Sequence, residues 1–211
     1  MPVVDNRKEV MKVFVISQPK AGTFLSLEIL HQFGILKSNL FLFEKYYDKF
    51  SGSVKSSSRR SPFKKSLGLI QDGFSTAGHI GWSKDREQIL EDRGCKVVLL
   101  TRPFLCSLKS WERQKRKADQ PSQWGSYKTL KHRHAKVADW INVRNLYHLT
   151  FDELVGGDFQ KIDELQMFLF GEIVMDSSEA VRLARLTATP TKSKERLFNE
   201  SRESLGSDTV S

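Results

Sequence analysis

The sequence predicts an α/β protein: a single three-layer domain with helices on both faces of a central parallel sheet. Three observations carry that prediction. Short runs rich in apolar residues recur near Lys12 to Ser17, Leu67 to Gln71, Lys96 to Arg102 and Leu146 to Phe151, as expected of the strands of a parallel sheet. The segments between them carry helical spacing, the alternation that builds a parallel sheet. The 211 residues, 39% of them hydrophobic, suffice for one core and not for two full domains. The domain is expected over residues 1–186. Residues 187–211 form a polar tail of Ser, Thr, Lys and Glu with few apolar anchors, a composition that favours disorder.

The first run, Val13-Phe14-Val15-Ile16, leads through Ser17-Gln18-Pro19-Lys20-Ala21-Gly22-Thr23-Phe24 into a helix with apolar residues at Phe24, Leu27 and Leu30 and, a turn later, Phe33 and Ile35. Gly22 relieves the turn. At a helix N-terminus the unpaired N–H groups and the positive end of the dipole face outward, so an anion docks there, with Lys20 and the Thr23 hydroxyl as further donors. A phosphate or sulfate ester is the expected ligand. The pattern G-x-x-x-x-G-K-[ST] is missing, because Lys20 precedes Gly22 and no second glycine lies five residues upstream of it, which argues against an ordinary ATP or GTP hydrolase.

The second informative run, Lys96-Val97-Val98-Leu99-Leu100-Thr101-Arg102, ends in a basic residue and meets Pro103 at a helix start, with Ser110 eight residues past Arg102. Here the chain resembles the sulfotransferases that use 3′-phosphoadenosine 5′-phosphosulfate, PAPS. Their 5′-phosphosulfate loop reads P-K-[SA]-G-T-[TS]-[WF], and Pro19-Lys20-Ala21-Gly22-Thr23-Phe24 stands in its place; Arg102 and Ser110 match their 3′-phosphate motif in type and spacing. His79, in Thr76-Ala77-Gly78-His79-Ile80-Gly81-Trp82, fits the family's histidine. Leu149-Thr150-Phe151-Asp152-Glu153-Leu154 resembles the strand and Y-E-D-L that follow, with Phe151 where an adenine-contacting Tyr often stands.

The resemblance covers roughly residues 11–171 and implies a P-loop NTPase-like sulfotransferase fold. It also implies roles. Lys20, Thr23 and the backbone N–H groups of Ala21, Gly22, Thr23 and Phe24 would hold the phosphosulfate, Arg102 and Ser110 the 3′-phosphate, and His79 would act as base, with no metal. The product would be PAP and the acceptor a small molecule or carbohydrate. Three departures stand out: Phe24-Leu25 replaces a hydroxyl and an aromatic, the chain is short, and Ser201-Arg202-Glu203-Ser204-Leu205-Gly206 is at most a remnant of a C-terminal R-K-G-x-x-G-D-W loop.

The rest of the chain narrows the field. Basic clusters at Lys55 to Lys65, Lys109 to Lys117 and Lys128 to Lys136 contribute to a formal charge of +9 and read first as solvated faces. Such charge attracts polyanions, yet no helix-turn-helix, zinc-finger or RNP pattern accompanies it, which argues against nucleic acid. His132, His134 and His148 lack a ligand spacing. Asp152 and Glu153 fit the first turn of a helix better than a catalytic pair. Trp82, Trp111, Trp124 and Trp140 read as packing residues, and Ser51 to Pro62 as a loop. Cys95 and Cys106 suit free thiols in a reducing compartment. With no signal-peptide pattern or membrane-length apolar run in the sequence as given, the expected location is the cytoplasm. The alternatives to an enzyme are a PAP(S)-binding relative without catalysis, a P-loop nucleotide kinase or NTPase, and a basic nucleic-acid binder. Neither acceptor nor oligomeric state is legible.

Overall fold

A computed structural model of the chain describes residues 11–43, 63, 70–117, 126–156 and 158–188. Five parallel strands form one sheet in the order β2-β3-β1-β4-β5: β1 (Lys12–Ser17), β2 (Leu36–Phe43), β3 (Phe74–His79), β4 (Cys95–Thr101) and β5 (Leu146–Thr150). Helices α1 (Thr23–Gln32), α2 (Lys84–Asp92), α3 (Phe104–Lys117), α4 (Tyr127–Ala138), α5 (Phe151–Gly156), α6 (Phe159–Phe170) and α7 (Ser177–Thr187) fill the connections, with a 3-10 turn at Asp139–Asn142.

Strand alternation separates two cores, because successive side chains leave opposite faces of a sheet. Val13, Val15, Val98 and Leu100 pack against Leu30 of α1, Leu154 of α5, Leu165 of α6 and Val181 of α7. Phe14, Ile16, Val97 and Leu99 face the other way, against Leu90 of α2, Val137 of α4 and Trp140. Trp140 is fully buried and satisfies its indole N–H on the Ile80 carbonyl at 2.8 Å. These two layers around a parallel sheet are the expected three-layer α/β architecture.

Four local readings change. The first helix ends at Gln32, because Gly34 takes φ 88° and turns the chain, so Phe33 and Ile35 pack from the turn rather than from the helix. The run at Leu67 to Gln71 falls largely outside the described residues; Ile70 and Gln71 are not in a strand, and the strand lies at Phe74–His79. Strand β2, unforeseen, pairs with β3 at the sheet edge, its register slipping between Lys37 and Phe41. Phe24 is 60% exposed and Trp82 42% exposed, so neither is a core residue. The Ser51 to Pro62 loop, Trp124 and the tail beyond Ala188 lie outside the described residues. Among those residues no helix is long and apolar enough to cross a membrane.

Candidate functional site

Register brings the motif residues to one edge. Ile16 lies opposite Gly78 of β3, and Ser17 opposite Leu100 of β4. The segment after β1, His79 and Arg102 therefore leave the sheet at one level, at the carboxyl ends of the three central strands. Ligands of open α/β sheets bind there.

The turn after β1 is held in an unusual shape. Lys20 has φ 69°, the one non-glycine residue with positive φ among those described, and Gly22 follows at φ 86° as the N-cap of α1. A left-handed lysine costs roughly 1–2 kcal/mol, and the Lys20 carbonyl is tied down by Arg102 Nη1 at 3.0 Å. Glycine at position 22 is also required by space: a Cβ there would lie 2.8 Å from Leu154 Cδ2 and 3.1 Å from Phe151 Cδ2. Ala21 donates its N–H to the Gln18 carbonyl at 3.2 Å. That bond spends one of the expected ligand donors inside the loop. The N–H groups of Thr23 and Leu25 have no acceptor within α1 by helix geometry. Its N-cap residue, Gly22, has no side chain to cap this end, and no acidic residue stands in its first turn.

A chain of contacts joins the other motif residues to this turn. Thr23 Oγ1 and Ser17 Oγ are 2.7 Å apart, and Ser17 Oγ is 3.2 Å from His79 Nδ1. His79 Nδ1 also lies 2.6 Å from the Ser17 carbonyl. Since a carbonyl only accepts, Nδ1 carries the proton and the lone pair is left on Nε2. The Arg102 guanidinium stacks 3.7 Å from the centre of the Phe151 ring, placing Phe151 between Arg102 and Gly22. Arg102 Nε is buried and finds no acceptor among the described residues. Ser110 lies on α3, half-buried, with no hydrogen bond to Arg102.

Charge and burial tune these groups. Burial, helped by the positive charge of Arg102, lowers the Lys20 ammonium to about 8. His79 falls to about 4, mainly through burial and further through Arg133 and Lys20, against the Ser17 hydrogen bond that raises it. The imidazole is neutral at pH 7 and weakly basic. The site is thus rich in donors and poor in acceptors, which suits an anion. An unspent guanidinium N–H and an uncapped helix end fit the phosphate-bearing ends of PAPS.

Four further residues complete the site. Gln18, only 4% exposed, accepts the Arg102 N–H on Oε1 at 2.8 Å and donates Nε2 to the His134 carbonyl at 3.3 Å. His134 Nε2 meets the Arg102 carbonyl at 2.7 Å, so this histidine supports the site's backbone. Gln114 of α3 accepts from Lys20 Nζ, and Ser17 links Thr23 to His79. The signal available beforehand was a glutamine inside an otherwise small turn. His132 is exposed, and His148 Nε2 sits 2.7 Å from Thr101 Oγ1. Glu153 forms a reciprocal cap with Thr150, accepting its N–H at 2.6 Å while the Glu153 N–H reaches Thr150 Oγ1 at 3.2 Å, the role expected for that acid. Among the described residues, no group of three His, Cys, Asp or Glu could hold a metal ion.

No family model matches the chain, and no curated protein matches its sequence. Solved structures do. Mouse sulfotransferase SULT7A1, complexed with PAP, superposes with a TM-score of 0.51 at 17% identity, over 85% of this chain and 65% of that one. Retinol dehydratase, in complex with androsterone and inactive cofactor PAP, gives 0.52 at 15% identity, over 82% of this chain and 63% of that one. Shikimate kinase from Acinetobacter baumannii gives 0.46 at 17% identity, over 79% and 97% of the two chains. The chain therefore spans a little under two thirds of the length of the first two. At such identities the likeness is one of fold: the chain has a sulfotransferase-like α/β fold, as its motifs led one to expect.

Proposed function

We propose that this sulfotransferase-like chain is a PAPS-dependent sulfotransferase that modifies a hydroxyl or amine of its acceptor. The observation that carries the reading is the pairing of two donor sites at the ends of adjacent strands, the uncapped turn after β1 and the partly unspent Arg102 after β4.

In this reading, Lys20, the Thr23 hydroxyl and the first N–H groups of α1 hold the 5′-phosphosulfate end and balance the charge that develops on the departing oxygen. Arg102 holds the 3′-phosphate with Ser110, while Phe151 offers its ring beside them for the adenine. Guanidinium is suited to this task, since its fork matches phosphate and stays charged. When bound, PAPS supplies the activated sulfuryl group. His79 receives the acceptor's proton at Nε2, its Nδ1–H kept on the Ser17 carbonyl so that the ring faces the reaction in one tautomer. No residue assignment calls on a metal.

Calorimetric titration with 3′,5′-adenosine bisphosphate, with 5′-AMP and ATP as controls, tests the cofactor class. Micromolar or tighter binding that needs the 3′-phosphate is expected, together with a loss of about thirtyfold or more in Arg102→Ala. Equal affinity for AMP, or an unchanged Arg102→Ala, rejects the 3′-phosphate site. A second reading, a PAP(S)-binding protein without turnover, is favoured by the low basicity of His79. Tight PAP binding without sulfated product from any hydroxyl or amine acceptor would establish it.

A further inference from the structure

Among the described residues the positive charge is concentrated on two helices. Lysines and arginines on α3 and α4 number nine, against the single acid Glu112. The other described residues carry twelve against fifteen acids. The two helices pack together. Lys109, Arg113, Arg116, Lys117, Lys128 and Lys131 are exposed, and among the described residues none of them has an acidic partner. Lys109, Arg113 and Arg116 follow helical spacing and share one stripe. Like charges at such spacings destabilise a helix by about 0.2–0.5 kcal/mol per pair, a cost a ligand of opposite sign would offset.

This face adjoins the anion site. Gln114, next in sequence to Arg113, takes the Lys20 hydrogen bond, and Arg133 of α4 lies near enough to His79 for its charge to act on the ring. Among the described residues the face also carries few of the apolar and aromatic anchors that other polyanions use. Apart from Leu105, the exposed positions of α3 are Cys106, Lys109, Glu112, Arg113, Arg116 and Lys117, and its Trp111 is buried. Tyr127 is the one large aromatic exposed on either helix. Single-stranded nucleic acid stacks on aromatic platforms. Arginine clusters bind acidic peptides as well, but a polysaccharide carries, beside its regularly spaced charges, the repeated hydroxyls that the proposed transfer acts on.

Resting on the proposed transferase reading, we infer that α3 and α4 form the docking face for an anionic polysaccharide acceptor. Its carboxylate or sulfate groups lie along the lysines and arginines, and one of its free hydroxyls reaches His79. The field of the face raises the local concentration of such a chain at the mouth of the site.

The test uses the full chain, with polygalacturonate as probe beside neutral dextran, polyglutamate and a single-stranded DNA oligonucleotide of matched charge. We expect polygalacturonate to bind more tightly than the other three. In Lys109→Gln/Arg113→Gln/Arg116→Gln/Lys117→Gln its affinity should fall at least about tenfold with a shallower salt dependence, PAP affinity and melting temperature staying as in the wild type. Lys128→Gln/Lys131→Gln repeats the measurement on α4, should the fourfold variant fold poorly. Unchanged polygalacturonate affinity in both variants overturns the docking face. Polyglutamate or DNA binding as tightly as polygalacturonate overturns the polysaccharide assignment. Polygalacturonate binding without any PAP binding overturns the transferase reading and, with it, the acceptor role of this face.

Discussion

The N-terminus of α1 and the N-termini of α2, α4, α6 and α7 meet the same electrostatic problem and solve it in opposite ways. In the latter four, Ser83, Ser126, Asp158 and Asp176 turn back to accept an N–H of the first turn, and α2 and α7 add acidic residues there. Helix α1 has Gly22 at its cap, no side-chain acceptor and no acid. Its end abuts Lys20, which adds positive charge instead of relieving it. Four helices are finished internally. The fifth has neither device, and the difference between them is one of local chemistry.

The largest effect should separate holding the anion from reacting it. His79→Ala is expected to lower turnover by roughly 10²–10⁴, with PAP affinity by calorimetry within about twofold of the wild type. A comparable loss of affinity would make His79 part of the anion site rather than the base. Next, Phe24→Glu places a carboxylate in the first turn of α1 at a position that is 60% exposed. This gives α1 what the capped helices already have. PAP affinity should drop about tenfold or more while chemical denaturation shows stability unchanged or higher; an unaffected affinity would detach α1 from the ligand.

Smaller and opposite in kind, Asp176→Ala should cost ~1 kcal/mol of stability and leave PAP binding untouched. The contrast fails if the affinity moves with it. Finally, the pH profile of kcat/KM should be flat around neutrality. Lys20, at about 8, loses its proton as pH rises through that value, so the alkaline limb falls; His79, at about 4, gains one as pH falls, so the acid limb lies near that value. Lys20→Arg, always charged, should remove the alkaline limb alone.

How far the sequence reaches follows from where its chemistry shows. Strands β1, β4 and β5 were legible because apolar, largely branched residues fill them. Strand β3 was not, since Phe74-Ser75-Thr76-Ala77-Gly78-His79 reads as polar and small; yet Ser75 and Thr76 are buried. Ser75 is satisfied by the Leu36 carbonyl at 3.2 Å, a partner supplied by β2 that no local pattern announces. That Lys20, Gly22 and Thr23 lie where a strand turns into a helix could be read from their types and order. Gln18, Gln114 and His134 could not, because their parts depend on elements that only the fold brings alongside.

Arg102 is gripped on both sides of its own peptide, the N–H by Gln18 and the carbonyl by His134, before any nucleotide is present. Its amide should be among the slowest in the chain to exchange with deuterium. The entropy lost in fixing that backbone falls to folding and not to association, so under the proposed function the arginine would meet the 3′-phosphate on a backbone already fixed. Cutting the grip with Gln18→Ala would return that disorder to the free protein, and should weaken nucleotide binding without removing a single group that touches the nucleotide.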